Sequence, residues 1–270
     1  MDFKIALQLY SVRDDMAADF EGTVKKVKEL GYDGVEFAGL YGKTAEEVKE
    51  ICKKYEIIPI SAHVPFIDMI ENPQLLKDYA EIGCKYVVIP YITKEYQPGN
   101  EKFSEVISGA MMLGEKAKEL GMKLAYHNHD FEFRKIDGEY ALDILYSQVP
   151  ADILETQLDT CWVNVGGEDP VKYIEKYNGR VSILHLKDFS GGKSENMYAL
   201  IGIDDDKKKD IKGNFEFRPL GKGVQNFPAI LSAAEKCGTE WIVVEQDSPS
   251  MALTAMECAE ESINYLKTII

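Results

Sequence analysis

The chain reads as an α/β protein folded into a closed (β/α)8 barrel, and three observations predict it. Short apolar strand signals alternate with amphipathic helix signals eight times within 270 residues. The strands are apolar throughout, as in a parallel sheet covered on both faces. Their ends repeatedly carry histidine or a carboxylate, and a barrel of parallel strands gathers those ends at one mouth. No glycine-rich dinucleotide fingerprint follows the first strand, so the main reason to prefer an open doubly wound sheet is missing.

Taken in order, the strands are expected near residues 4–9, 34–37, 57–63, 85–90, 122–128, 153–159, 181–187 and 241–246. The first long helix is read from apolar residues at helical spacing between Phe20 and Leu30, with Gly31 as its stop. Gly121 and Gly238 repeat that device just before later strands. Thr44 with Glu47 forms a capping box for the next helix. The length suits a single domain over residues 1–270. One long irregular segment, about 188–224, is expected to overhang the mouth as a substrate cover. Its charge run from Asp204 to Asp210 lacks the ligand spacing of a helix-loop-helix calcium loop and reads as surface.

Composition narrows the function classes. A net charge of −15 opposes binding to a nucleic-acid backbone or an anionic membrane. No apolar run is long enough to span a bilayer. The sequence starts almost directly on a strand, without a basic and apolar leader, which favours the cytoplasm. Five scattered cysteines read as reduced packing residues, with Cys161 the one placed to reach a site beside Asp159. The expected partner is a small molecule, and a homo-oligomer stays open.

The chemistry-bearing residues are those at strand ends. His63, His127, His129 and His185 close apolar runs, as do Glu36, Asp159 and Glu245. A carboxylate buried there is costly without a cation or donor, so Asp159, His185 and Glu245 together point to a divalent metal ion. Glu36 has a plainer reading, a pairing with Lys187 or Arg13. His129 and Asp130 have one as caps of the following loop, and Tyr10, Tyr91 and Trp162 one as rim packing. An ion bridging a carbonyl and a neighbouring hydroxyl would favour loss of the α-proton, and the enediolate so formed leads to isomerisation, epimerisation or loss of a β-substituent.

Five motifs taken together carry a resemblance: Gln8-Leu9-Tyr10-Ser11-Val12-Arg13, Gly31-Tyr32-Asp33-Gly34-Val35-Glu36, Tyr126-His127-Asn128-His129-Asp130-Phe131-Glu132-Phe133, Leu158-Asp159-Thr160 and His185-Leu186-Lys187-Asp188. In this order the chain resembles the sugar phosphate isomerase/epimerase family. That family belongs to the xylose-isomerase-like TIM barrel superfamily, which also contains inosose dehydratases, ketose 3-epimerases and keto-glycoside-processing enzymes. The resemblance implies one divalent metal ion held by Glu, Asp, His and Glu. The last three fall on Asp159, His185 and Glu245. The first falls on Glu132, the preferred reading, or is replaced by His127. Glu132 would suit Mn or Mg; His127 would favour Zn, Fe or Co.

The function so implied is a metal-dependent isomerase or epimerase acting on a sugar or keto-sugar through an enediolate. His127, His129, Glu132 and Glu245 are the expected catalytic groups. Gln8, Glu36, His63, Lys187 and Arg218 are the expected substrate contacts. The alternative is a lyase or dehydratase on an inosose or 3-keto-glycoside. A remoter one is phosphodiester cleavage of the endonuclease IV kind, which the acidic charge opposes.

Overall fold

The computed structural model describes residues 3–201 and 213–270. Eight parallel strands close into a barrel in which every strand pairs with its neighbours in the chain. We label them β1 (Lys4–Gln8), β2 (Gly34–Phe37), β3 (Ile58–His63), β4 (Tyr86–Ile89), β5 (Lys123–His127), β6 (Leu154–Asp159), β7 (Ile183–Leu186) and β8 (Trp241–Val244). β1 pairs with β8 through Lys4↔Trp241 to Leu7↔Val244, which seals the cylinder. Each strand lies within about two residues of its expected bounds. The aligned burial of Tyr86–Ile89, Ile183–Leu186 and Trp241–Val244 explains why: these strands are buried on both faces, so their apolar runs are uninterrupted.

Two apolar layers result. Inside the barrel, Ala6, Ile60, Tyr86, Val88, Ala125, Ile183, Trp241 and Val243 pack together. Outside it, the helices cover the strands with the larger core, including Val24, Val27, Leu113, Leu184 and Ile263. The alternation along a strand then decides the site. Ile183 points into the barrel interior, so His185, two residues on, shares that side and rises above the apolar plug. Val243 does the same for Glu245.

Local signals act as expected at the helix ends. The capping box of Thr44 and Glu47 is formed at the helix Ala45–Lys54, and Gly31 ends the helix Phe20–Leu30 at φ 101°. Asp159 caps the short helix Thr160–Val165 with its own carboxylate. The segment after β7 folds back as an antiparallel pair, Asp188–Ser190 with Glu216–Arg218. The buried Asp188 carboxylate fixes that turn by accepting the backbone N–H groups of Phe189, Gly221, Gly223 and Gln225. The charge run from Asp204 to Asp210 lies outside the described residues. All five cysteines are free. No helix among the described residues is long and apolar enough to cross a membrane.

The close fit of helix to barrel yields a test at Gly114, inside the helix Phe103–Glu119. A Cβ there would lie 2.4 Å from the Ile153 carbonyl oxygen and 2.5 Å from Ile153 Cγ2. Helix propensity alone predicts that Gly114→Ala stabilises by about 1 kcal/mol. Because the obstruction is backbone, overpacking wins. The variant should lose about 1–3 kcal/mol in urea unfolding; a gain in stability would show that the helix can shift outward freely.

Candidate active site and metal centre

The polar layer above the apolar plug is organised around Glu36, at the end of β2. Its carboxylate is fully buried. Oε1 accepts from Gln8 Nε2 at 2.7 Å and lies 2.7 Å from His185 Nε2 and 3.0 Å from His63 Nε2. Oε2 accepts from Ser61 Oγ and Gln157 Nε2, both at 2.5 Å. Burial opposes its ionisation, but the imidazoles of His63 and His185 outweigh that and hold its carboxyl well below the usual range. A register shift between Val35 and Glu36 accompanies this pairing with β3, setting Glu36 opposite Ser61.

Gln157 passes the arrangement on. Its amide oxygen lies 2.7 Å from His63 Nε2 and 3.2 Å from His127 Nδ1. An amide oxygen only accepts, so the bond assigns the proton of His127 to Nδ1 and leaves the Nε2 lone pair directed to the centre of the barrel. His127 Nε2 is 3.6 Å from Asp159 Oδ2. His185 is held similarly: Nε2 faces Glu36, while Nδ1 lies 3.0 Å from Glu245 Oε2. Asp159 Oδ1 is occupied by the N–H groups of Cys161 and Trp162, leaving Oδ2 to face the imidazoles.

These four residues bring one donor atom each to within 4.8 Å of one another: His127, Asp159, His185 and Glu245. The set fits a divalent cation on its own chemistry. Asp159 Oδ2 is buried and accepts no directed hydrogen bond, although Lys187 Nζ lies 3.2 Å away. Two imidazole nitrogens and two carboxylates suit Zn, Co, Fe or Mn. Glu36 then has the part of a carboxylate behind a ligating histidine, fixing its ring and tautomer.

Lys187 stands beside this set, 2.9 Å from Glu245 Oε2 and 2.8 Å from Asp247 Oδ2. Although burial disfavours its charge, Asp159, Asp247 and Glu245 push its pKa well above the ordinary value, so it remains an ammonium. Burial pushes the Asp247 carboxyl up to about 6, against the pull of Lys187. Burial, with Lys187, depresses His129 to about 3 and keeps it a neutral imidazole. A cavity of about 680 Å³ opens above, walled on this side by His63, His127, His129, Lys187, Glu245 and Asp247.

The expected residues therefore divide. His63, His127, His129, Lys187 and Glu245 line the cavity, with Asp159 and His185 in the donor set beneath. Glu132, the preferred fourth ligand, is not in that set. Its Oε1 accepts from Tyr126 OH at 2.6 Å and its Oε2 from the His129 N–H at 2.8 Å, because the short helical turn Phe131–Phe133 folds it behind β5. His127, the alternative, is in the set. Gln8 and Glu36, expected to touch substrate, are not on the cavity wall; Glu36 faces His63 and His185, and Gln8 bonds Glu36. Arg218, also expected there, bonds Ser190 Oγ and Glu216 in the return hairpin and is not on the cavity wall. Cys161 is buried and likewise absent from the wall. The sequence reading missed Gln157 and Asp247. A polar residue two positions before Asp159 on the same strand face, and an acid two beyond Glu245, were the available signals.

Residues 24–269 match the sequence model of the xylose isomerase-like TIM barrels. The chain belongs to that family. It is 24% identical to an inosose dehydratase of Clostridium beijerinckii, across 92% of this chain and 89% of that protein. A sugar phosphate isomerase/epimerase from Parabacteroides distasonis shares the fold with a TM-score of 0.78 at 22% identity, over 99% of this chain and 94% of that one. The IolI protein, solved with a bound zinc atom, gives a TM-score of 0.74 at 18% identity, over 99% and 98% of the two chains.

Two measurements follow. Metal analysis after reconstitution should show that His127→Asn loses the ion while Glu132→Gln keeps it; the reverse would return Glu132 to the ligand set. Glu132 also carries a pH signature. Burial outweighs its two hydrogen bonds and raises its pKa to about 8. From pH ~4.5 upward the unfolded chain releases this proton while the native protein retains it to about 8. Wild-type stability is thus lost as pH rises through that window. Relative to wild type in urea unfolding, Glu132→Gln should gain on the order of 3 kcal/mol between pH 4 and pH 7. A difference independent of pH would refute the raised value.

Proposed function

We propose that the protein is a divalent-metal-dependent lyase that removes water from a polyhydroxy ketone, an inosose or keto-sugar. The observation that carries this is the convergence of His127, Asp159, His185 and Glu245 at the floor of a cavity that also presents Lys187, His129 and Asp247. Similarity to inosose dehydratases across most of the chain supports it. A bound divalent ion supplies Lewis-acid polarisation of the ketone.

The chain's own groups meet the other demands. Lys187 keeps its charge beside the donor set and is placed to stabilise the enolate oxygen that forms when the α-proton leaves. His129 lines the cavity and its Nδ1 is buried without a hydrogen-bond partner, so it is the proton acceptor we assign; burial and Lys187 keep it neutral but make it a weak base, so the acidity of the α-carbon must come from the ion and Lys187. Asp247, raised to about 6 by burial, takes up a proton far more readily than an ordinary carboxylate and is the group we assign to protonate the departing hydroxide. The α C–H bond breaks, a carbon–carbon double bond forms, and the β C–O bond breaks with release of water.

Isomerisation or epimerisation, the first expectation from sequence, shares the initial proton removal. Epimerisation then needs a second acid on the opposite face of the carbanion. His63, His127 and Asp247 also line the cavity, so the choice of elimination rests on the similarity to inosose dehydratases.

The test is a metal-supplemented incubation with inososes and keto-sugars in deuterium oxide. The expected product has lost water and shows the absorbance of an unsaturated ketone or dione. Epimerised, deuterated product without water loss would replace the lyase reading. His129→Asn should retain metal and lose about 10²–10⁴-fold in turnover; unchanged turnover would remove His129 from the mechanism.

A further inference from the structure

The strand pairing that carries the donor set stops short of it. β5 and β6 pair from Leu124↔Leu154 to His127↔Gln157, so their ladder ends two residues before Asp159. On its other side Asp159 is still paired, opposite His185 of β7. The β5 side of the Asp159 peptide thus lies beyond the last backbone partner. It is also buried, where an N–H without an acceptor is costly. Asn128, fully buried as well, closes this gap with its side chain. Its Oδ1 accepts the Asp159 N–H at 2.9 Å, and its Nδ2 donates to the Asp159 carbonyl at 3.4 Å. A side-chain amide carries both acceptor and donors, so it meets the two main-chain groups of one residue as a neighbouring strand would.

Place in the chain gives this bond its use. Asn128 stands between His127 and His129, which both line the cavity, but is not itself on the wall. Its bond to the Asp159 main chain ties the candidate donors of β5 and β6 together through one short side chain. The next gap is closed in a similar way, because Thr160 Oγ1 donates to the His185 carbonyl at 3.1 Å. Between β7 and β8 the backbone itself reaches the level of the donors, with Glu245 N–H donating to the Leu186 carbonyl at 3.1 Å. His127 Nε2 and Asp159 Oδ2 lie 3.6 Å apart, too far to hold each other by a hydrogen bond. Their spacing is set from behind.

We infer that Asn128 is a positioning residue: its side chain stands in for the strand pairing absent beside Asp159, fixes Asp159 relative to His127, and so sets the affinity for the ion. The inference rests on the metal reading above and adds to it a residue that lies behind the donors. Outer groups of this kind hold a ligand where the ion needs it.

Two readouts test this, and turnover enters neither. Zinc affinity is measured by chelator competition for wild type, Asn128→Ala, Asn128→Asp and Thr239→Ala. Thr239, before β8 at the other end of the barrel, donates a buried bond to the Val181 carbonyl at 2.8 Å and controls for lost stability alone. Asn128→Ala should weaken zinc binding about 10–100-fold, the range for outer partners of metal ligands, while Thr239→Ala leaves it unchanged. Asn128→Asp keeps an acceptor for the Asp159 N–H and should lose less than Asn128→Ala. If Asn128→Ala does not fold by circular dichroism, Asn128→Ser, which also lacks the amide, is read in its place. Wild-type affinity in the folded variant overturns the inference, as does an equal loss in Thr239→Ala or Asn128→Asp. The second readout is amide exchange in the metal-free protein. Exchange at Asp159 should quicken relative to Leu158 in Asn128→Ala and not in Thr239→Ala; unchanged protection at Asp159 also overturns the inference. Wild type that takes up no ion would remove the metal reading, while exchange would still decide whether Asn128 holds Asp159.

Discussion

One buried carboxylate holds the top of the barrel together. Glu36 receives or faces groups from β1, β3, β6 and β7 as well as sitting on β2, so five of the eight strand ends meet on two oxygens. A carboxylate offers about four lone-pair sites, and all are used here. That saturation is what makes burial of the charge tolerable, because an ionised group out of water is stable only when paired and hydrogen-bonded throughout. The consequence runs outward. Glu36 orients His185, Gln157 orients His127, and both residues bring a candidate donor nitrogen into the group that spans 4.8 Å. Removing the carboxylate would leave three donors and two rings without a reference.

The second constraint is charge on the cavity floor. Asp159, Glu245 and Asp247 surround a single ammonium, Lys187. The acids outnumber the ammonium, and a divalent ion would offset that excess of negative charge. Such a cluster costs stability, since replacing a buried ionic group with apolar residues is often neutral or favourable. It is therefore carried by the surrounding apolar layers, the barrel plug below and the aromatic group of Trp162, Phe189, Phe215 and Phe217 under the return hairpin. Lys187 lies 5.5 Å from the Trp162 ring and 5.6 Å from Phe217, so the aromatic layer also faces its charge.

Much of this was legible in the sequence, and the gaps have physical causes. The strands were readable because burial on both faces makes them continuous apolar runs. Asp159, His185 and Glu245 were readable because ionisable residues interrupt such runs only where something compensates them. The fourth donor was not. His127 and Glu132 are five residues apart, and which one turns inward depends on the Phe131–Phe133 turn, a tertiary result that spacing does not encode. Gln157 reads as a polar break within β6, and only contact with Glu36 and two histidines reveals its use. Gln8 and Glu36 were identified as important but given substrate contact, because sequence does not say which strand-end side chains reach the cavity wall. Arg218 was assigned by charge alone, and the hairpin pairing with Asp188 turns it elsewhere.

Burial separates the groups proposed to hold the ion from those proposed to move protons. The same exclusion of water acts with opposite sign on acids and bases. It keeps His129 neutral, lifts Asp247 to about 6, and keeps Glu132 protonated to about 8. Where strong partners are at hand the sign is reversed: Glu245 stays well below its ordinary value because Lys187 and His185 outweigh burial. Thus Glu245 stays ionised, while Asp247, two residues further along, titrates nearer neutrality, at about 6. Their different partners account for this. Glu245 faces both His185 and Lys187, whereas Asp247 meets Lys187 and the repulsion of Glu245 and Asp159. One short stretch of chain after β8 thereby carries two acids of different proton affinity, the proposed ion ligand and the proposed proton donor, and the division depends on His185 being held where Glu36 puts it.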